Sequence, residues 1–268
     1  MLLNLKEGEY IGQNLKSLDN SFLTLSITSY APNCQIEKHY HENHYISILI
    51  KGCYYEKNTF EHNLISSGDI LFRPNTYAHE NLFTSYGGTC FNIEFKSEWE
   101  KQFASNLKLP NNFNHYKTGS FPSLYKLLVN FQNEFNDELA FEFICDWLFT
   151  INQNTHAKGF QPWVEKIARI LENETECFHS LHSLSQRVFV HPVYLARAFK
   201  EKKGITIGEY QLKMKLANTI SPLLGSSLSI SDIAYKNGFY DDAHFIRSFK
   251  AVYKISPYKF RLTSKKLI

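Results

Sequence analysis

The hydrophobic pattern changes period along the chain. From Phe22 to Phe95 apolar residues alternate or run over strand lengths in SFLTLSITSY, HYISILIKGCYYE, HNLISSGDILFRP and GGTCFNIEF. Gly52, Gly68 and the Gly87-Gly88 pair separate them, and short strands at this spacing predict a closed or nearly closed β-barrel. From Ser123 to Asn152 the period becomes helical, with Leu124, Leu127, Leu128, Phe131 and Phe135, then Leu139, Phe143, Trp147, Leu148 and Ile151 after a break at Asn136-Asp137. This predicts a helical hairpin whose faces are more aromatic than one layer on a barrel needs. The excess is either a homodimer seam through residues 123–152 or packing on its own barrel.

Asn152 to Gly159 is polar and ends in Gly, which marks a linker. From Gln161-Pro162 the pattern is helical again, opening with Val164, Ile167, Ala168 and Leu171. The expected organisation is an α+β chain: residues 1–155 as barrel plus hairpin, and residues 161–268 as an all-α domain.

Within that second domain the most patterned stretch is Ser229 to Leu262. Ile230, Ile233 and Ala234 have helical spacing, Gly238 offers a tight turn, and Asp241 can cap a second helix. On that helix Phe245, Phe249 and Val252 point one way, while His244, Arg247 and Lys250 take other faces. About fifty residues upstream the plan repeats: Leu184 and Ser185 stand where Ile233 and Ala234 stand, and Tyr194, Leu195, Arg197, Phe199 and Lys200 match His244, Phe245, Arg247, Phe249 and Lys250. A helix entering the major groove needs slim residues at its leading end and a long donor behind them. Two such helices can read successive grooves. Phe189, Leu195 and Phe199, with Phe239, Phe245 and Phe249, are the expected core. Leu212, Leu216 and Ile220 lie on a joining helix that Pro222 kinks or ends.

Residues from about Leu181 to Arg261 thereby resemble the double helix-turn-helix domain of the AraC-type (AraC/XylS) transcription regulators. The resemblance rests on Ile233 to Lys250, on Ser256-Pro257 with Phe260-Arg261, and on Tyr194 to Gly204. Lys254 departs from it where Gly is usual, Ser185 where Ala is usual, and Lys215 where Arg is usual. The resemblance implies that Val193, Ala196 and Arg197, with Asp242, Ala243, Ile246 and Arg247, face base edges, and that Lys200, Lys236 and Lys250 meet phosphates. Arg197 and Arg247 alone have bidentate reach to guanine, and the apolar members suit thymine methyls, so an A·T-rich site with about one guanine per half is expected. RNA polymerase is the further partner implied, with activation more usual than repression.

Charge supports a polyanion partner for one half only. From Gln161 onward 17 Lys and Arg face 9 Asp and Glu, a net +8; the remainder has 12 against 17, a net −5. Five cysteines without a CxxC pair read as reduced thiols. With no apolar h-region and no run of about eighteen apolar residues, a soluble cytoplasmic protein is expected, without a membrane partner.

His39-Tyr40-His41 before a strand ending at Lys51-Gly52, and Gly68 to Pro74 leading to His79, resemble the two motifs of the cupin barrel. The resemblance implies a small-molecule effector in the barrel, with His39, His41, His44, Arg73 and His79 as candidate contacts and Tyr45, Phe72, Tyr77 and Phe91 as walls. Arg73 can pair with a ligand carboxylate or with Asp69. His39, His41 and His79 match three ligands of metal-binding cupins, but the expected Glu is missing from HENHYIS, so no cofactor is assigned. The alternative is a metal-dependent cupin enzyme with an appended helical domain.

Overall fold

The computed structural model describes residues 2–58, 61–103, 108–153, 162–190 and 192–265. Its first half is one nine-stranded sheet: β1 (Leu3–Leu5), β2 (Gln13–Asp19), β3 (Leu23–Tyr30), β4 (Gln35–His41), β5 (Tyr45–Lys57), β6 (His62–Ser66), β7 (Ile70–Arg73), β8 (His79–Phe95) and β9 (Asn114–Tyr116). The main path runs β1-β4-β8-β5-β7-β9, with β2-β3 attached to β8 and β6 attached to β5. All pairings are antiparallel except β1 with β4. The long strands β5 and β8 hold this together. The first residues of β5 lie between β7 and β8 and its last between β6 and β8, while β8 passes from β4 to β3 along its length. At Gly52 the two approach so closely that a Cβ would sit 2.1 Å from the carbonyl oxygen of Gly87, and φ is +88°. Only glycine fits there. The short strands β1, β2 and β9 lie outside the predicted Phe22–Phe95 stretch because three to seven residues carry too little alternation to register.

Among the described residues ten helices accompany the sheet: α1 (Ser97–Phe103), α2 (Pro122–Gln132), α3 (Asp137–Gln153), α4 (Pro162–Asn173), α5 (Leu181–Val188), α6 (Pro192–Lys203), α7 (Ile207–Gly225), α8 (Ile230–Lys236), α9 (Asp242–Tyr253) and α10 (Pro257–Lys265). The predicted hairpin is α2 and α3; most of the predicted linker lies outside the described residues. Helix α7 continues three residues past Pro222 to Gly225, so the proline sits in its last turn. None of the helices in the described residues is long and apolar enough to cross a membrane. The five cysteines are free thiols.

Strand alternation sorts the sheet into two faces. Ile46 and Ile48, Ile70 and Phe72, and Phe91, Ile93 and Phe95 face α2 and α3, where they meet Leu124, Leu128, Phe131 and Trp147 in one buried cluster. That cluster does not stop at the hairpin. It continues through Leu216, Ile220 and Leu223 of α7 into Ile233, Phe245, Phe249 and Phe260 of α8 to α10. Tyr125 of α2 is the pivot: its ring meets Tyr253 and Phe260, and its hydroxyl donates to the Gly68 carbonyl and accepts from the Gly119 N–H at 2.8 Å. Gly119 in turn abuts Ala217, whose Cα would lie 2.2 Å from any added Cβ. By contrast, α4 to α6 and the start of α7 close over a separate cluster of Val164, Ile167, Leu171, Leu184, Leu195, Phe199 and Ile207.

Candidate functional site

Local chemistry fixes the second helix pair. Ser229 caps α8 in a reciprocal box with Asp232, Ile233 and Ala234 are buried, and Gly238 turns the chain at φ +69°. The Asp241 side chain accepts from the His244 N–H at 2.6 Å and starts α9. That helix buries Phe245, Phe249 and Tyr253 and leaves Asp242, Ala243, Ile246, Arg247 and Lys250 exposed, as is Lys236 at the end of α8. Asp242 accepts from the Ser231 hydroxyl, which splints the two helices.

The first pair follows the same plan. Ser180 caps α5, and Leu184 and Ser185 are buried; the Ser185 hydroxyl, in place of the usual Ala, is satisfied by the His182 carbonyl at 2.7 Å. On α6, Leu195, Ala198 and Phe199 face inward, Ala196 is half-buried, and Val193, Arg197 and Lys200 are exposed. Lys202 and Lys203 are engaged by Glu165, at 3.6 and 2.8 Å. Phe189 corrects an expectation. Instead of joining the core it caps α5 in the left-handed region, φ 55°, and is 95% exposed, because the turn holds it away from α6. Arg197 and Arg247 have no hydrogen-bond or ion-pair partner among the described residues, and both are exposed.

Helix α7 joins the pairs. Its Thr206–Glu209 box starts it, Gln211 exchanges two 2.9 Å hydrogen bonds with the His179 backbone, and Lys215 donates to the Gly238 carbonyl at 2.7 Å.

The other face of the sheet encloses a polar interior. Tyr45 and Ser47, Tyr54 and Glu56, Leu71 and Arg73, and Cys90 and Asn92 all turn inward. Period two therefore removes Phe72 and Phe91 from the predicted wall: they lie on the helix side, with rings 5.8 Å from Trp147 and 5.2 Å from Phe131. Tyr45 does line the interior. Tyr77 is half-buried beside it, bonded to Asn58 and stacked on Phe113.

Arg73 is buried at 2% exposure and pairs with Glu56 through two nitrogens, with Tyr54 as a third contact at 3.0 Å. Burial works against its charge, but the Glu56 carboxylate together with Tyr45 and Tyr54 outweighs that and holds the guanidinium well above its ordinary pKa. The expected partner Asp69 is elsewhere, accepting from His115 at 2.9 Å and Thr118 at 3.1 Å. Glu56 was legible only as a lone acid in the inward register of a strand that is otherwise aromatic and aliphatic.

His39, His41 and His79 come together, with ring centroids 4.2 to 6.3 Å apart; His44 does not, and accepts from the Asn75 N–H on the far side of the sheet end. Burial pushes all three below their ordinary pKa, His41 to about 2, so they are neutral. Their nitrogens are not gathered around one point: no choice of one from each brings all three within 4.8 Å. His39 and His41, with Arg73, Tyr10 and Tyr30, line a space of about 20 Å³, room for about one water. His41 Nδ1, Arg73 Nη1 and Asn81 Oδ1 are buried without a hydrogen-bond partner among the described residues. A larger cleft of about 640 Å³ opens between the hairpin and α9–α10, lined by Lys126, Val129, Phe143, Ile255, Lys259 and Leu262.

Comparison with known proteins fits this geometry. A family model described as a helix-turn-helix domain matches residues 184–263, from the buried pair of α5 into α10. This helical half is similar to the DNA-binding domains of AraC-type regulators. The probable transcription factor PqrA of Proteus vulgaris is 43% identical over 68 residues, 25% of this chain and 56% of that protein. The multiple antibiotic resistance protein MarA of Escherichia coli (strain K12) is 28% identical over 101 residues, 38% of this chain and 80% of that protein. ToxT of Vibrio cholerae, in a solved structure, aligns over 91% of this chain and 99% of its own at 14% identity and a TM-score of 0.40. The chain spans about half the length, or less, of the curated relatives it matches first. The family-model match lies wholly within the helical half.

Proposed function

We propose that this chain is an AraC-type, ligand-responsive, sequence-specific transcription regulator that reads double-stranded DNA through α6 and α9. Residues 161–268 bind DNA, and residues 1–155, as a cupin-like sensor, respond to a small-molecule effector. The observation that carries this is the pair Arg197 and Arg247: corresponding positions on α6 and α9, each exposed and each without a partner among the described residues. A guanidinium in that state is available for base-edge contact. Val193, Ala196, Ala243 and Ile246 supply apolar contact beside it, Asp242 borders them, and Lys200, Lys236 and Lys250 neutralise phosphates. The site is A·T-rich with about one guanine per half. RNA polymerase is the downstream partner, the cytoplasm the place of action, and residues 123–152 the homodimer contact.

For the effector, the interior around His39, His41, His79 and Arg73 is supported by its three unpartnered buried polar atoms, which a small hydrogen-bonding ligand would satisfy. His44, outside that space, would act only through its loop. The cleft beside α9 supports a second reading, because its volume of about 640 Å³ accommodates a metabolite without rearrangement. The alternative, a metal-dependent cupin enzyme with an appended helical domain, would need His39, His41 and His79 to turn their nitrogens towards a common point.

Selection of bound duplexes from a random pool, with and without cell extract, tests both parts. Enrichment of a common A·T-rich motif, changed in affinity by extract, is the expected result; sequence-indifferent binding at fixed salt overturns it.

A further inference from the structure

The turn between α4 and α5 carries a second group of chemically active side chains. Glu174, Cys177 and His179 offer one donor atom each, all within 4.8 Å of one another. Cys177 Sγ lies 3.7 Å from His179 Nε2, and that nitrogen lies 3.5 Å from Glu174 Oε2. A tetrahedral zinc with bonds of about 2.3 Å to sulfur and about 2.0–2.1 Å to nitrogen and oxygen separates S and N by about 3.5 Å, and N and O by about 3.3 Å. The two separations therefore already match the bite of one ion.

We propose that Glu174, Cys177 and His179 form a zinc site, with a water in the fourth position. The donor set of thiolate, imidazole and carboxylate suits zinc among the common divalent ions. Outer contacts of the kind that orient ligands are present: Arg187 Nη1 donates to Glu174 at 2.9 Å, and the His179 backbone is held by Gln211. His179 Nε2 now lies 3.0 Å from the Glu174 carbonyl oxygen. On binding, Nε2 gives its lone pair to the metal and carries its proton on Nδ1, while the Cys177 thiol loses one proton to solvent. The exposed Cys177 leaves an entry path.

The site sits where it can matter to both helix pairs. Thr175 accepts from Asn218 of α7 at 2.7 Å, and the carbonyl of Glu176 packs against Gly238 in the turn before α9. A metal here would stiffen the turn that leads into α5, and that turn already touches α7 and the turn before α9.

Full-length reduced protein, freed of metal by chelation, should be titrated with Co²⁺ and then Zn²⁺. The expected result is one equivalent of Co²⁺ with a thiolate-to-cobalt charge-transfer absorption, displaced by Zn²⁺. That absorption should vanish in Cys177→Ser, and zinc affinity should fall at least ~10-fold in Glu174→Gln. Both side chains are on the surface side of the turn, and unchanged far-ultraviolet circular dichroism would confirm that the variants fold. Absence of the absorption, or its persistence in Cys177→Ser, overturns the proposal. Cobalt bound through His39, His41 and His79 would lack the thiolate absorption and count against it equally.

Discussion

The Lys215 ammonium donates to the Gly238 carbonyl at 2.7 Å, and through that one bond the joining helix grips the turn that aims α9. Lysine stands here where the family usually has arginine, and it still reaches. Lys215→Ala removes a charge-assisted hydrogen bond worth about 1.5–3 kcal/mol in a buried setting and less at this half-buried site. A loss of about 1 kcal/mol in denaturant unfolding is expected, together with weaker DNA binding. Lys215→Arg should keep both.

Arg247 and Lys250 lie one turn apart on the same helix yet should fail differently. Arg247→Ala should cost about 1–3 kcal/mol and flatten preference at one base position. Lys250→Ala should weaken all duplexes alike and lower the salt slope by about one. Binding to a matched and a singly mismatched duplex at several salt concentrations separates them. Uniform weakening by both would remove Arg247 from base reading.

Lys254 ends α9 at φ 62°, in the left-handed region where a side chain costs about 1 kcal/mol relative to glycine. Lys254→Gly should raise stability by up to about 1 kcal/mol, a rise of a few degrees in Tm. Phe189→Gly, at φ 55° and with its ring in solvent, should behave likewise at the end of α5. A fall in Tm would show that these side chains contribute contacts beyond their backbone strain.

Glu56 and Arg73 form a pair shut off from water. Glu56→Gln leaves the guanidinium charge without its counter-ion and should destabilise by about 3–5 kcal/mol. Replacing both by Leu and Met should cost much less than that. The double-variant comparison, by urea unfolding, reads the coupling directly.

The neutral histidines set a pH dependence. Their folded pKa values lie below the unfolded value of about 6.5. As pH falls through 6.5 the unfolded chain takes up protons that the folded chain refuses, so stability is full above that pH and is lost below it. Each group contributes a slope of at most about 1.4 kcal/mol per pH unit. His41→Gln, which removes the group held at about 2, should flatten the loss in melts between pH 6.5 and 4.5.

Periodic apolar positions made the sheet, the hairpin and both helix pairs readable in advance, because each buries one face. Buried pairs across the sheet were not. Whether Arg73 meets Asp69 or Glu56 depends on which strand lies beside β7 and on the register past the kink at Gly52, and neither is encoded locally. Phe72 and Phe91 show the same limit: an aromatic in a strand declares that it is buried, and only the neighbours decide on which side. Phe189 shows the reverse, since alignment with a core position does not move a residue out of a turn. On α6 and α9, by contrast, the inward positions Leu195, Phe199, Phe245 and Phe249 followed directly from the spacing.

Because sheet, hairpin and α8 to α10 share a single core while α4 to α6 enclose their own, the two helix pairs are mounted unequally. One is part of the chassis; the other is carried at the end of a 19-residue arm, about 28 Å long. That arm is close to the 34 Å pitch between successive major-groove faces. A tilt of a few degrees at the Gly119–Ala217 fulcrum, about 15 Å along the helix from its α6 end, would thus swing α6 by about an ångström while α9 stays put.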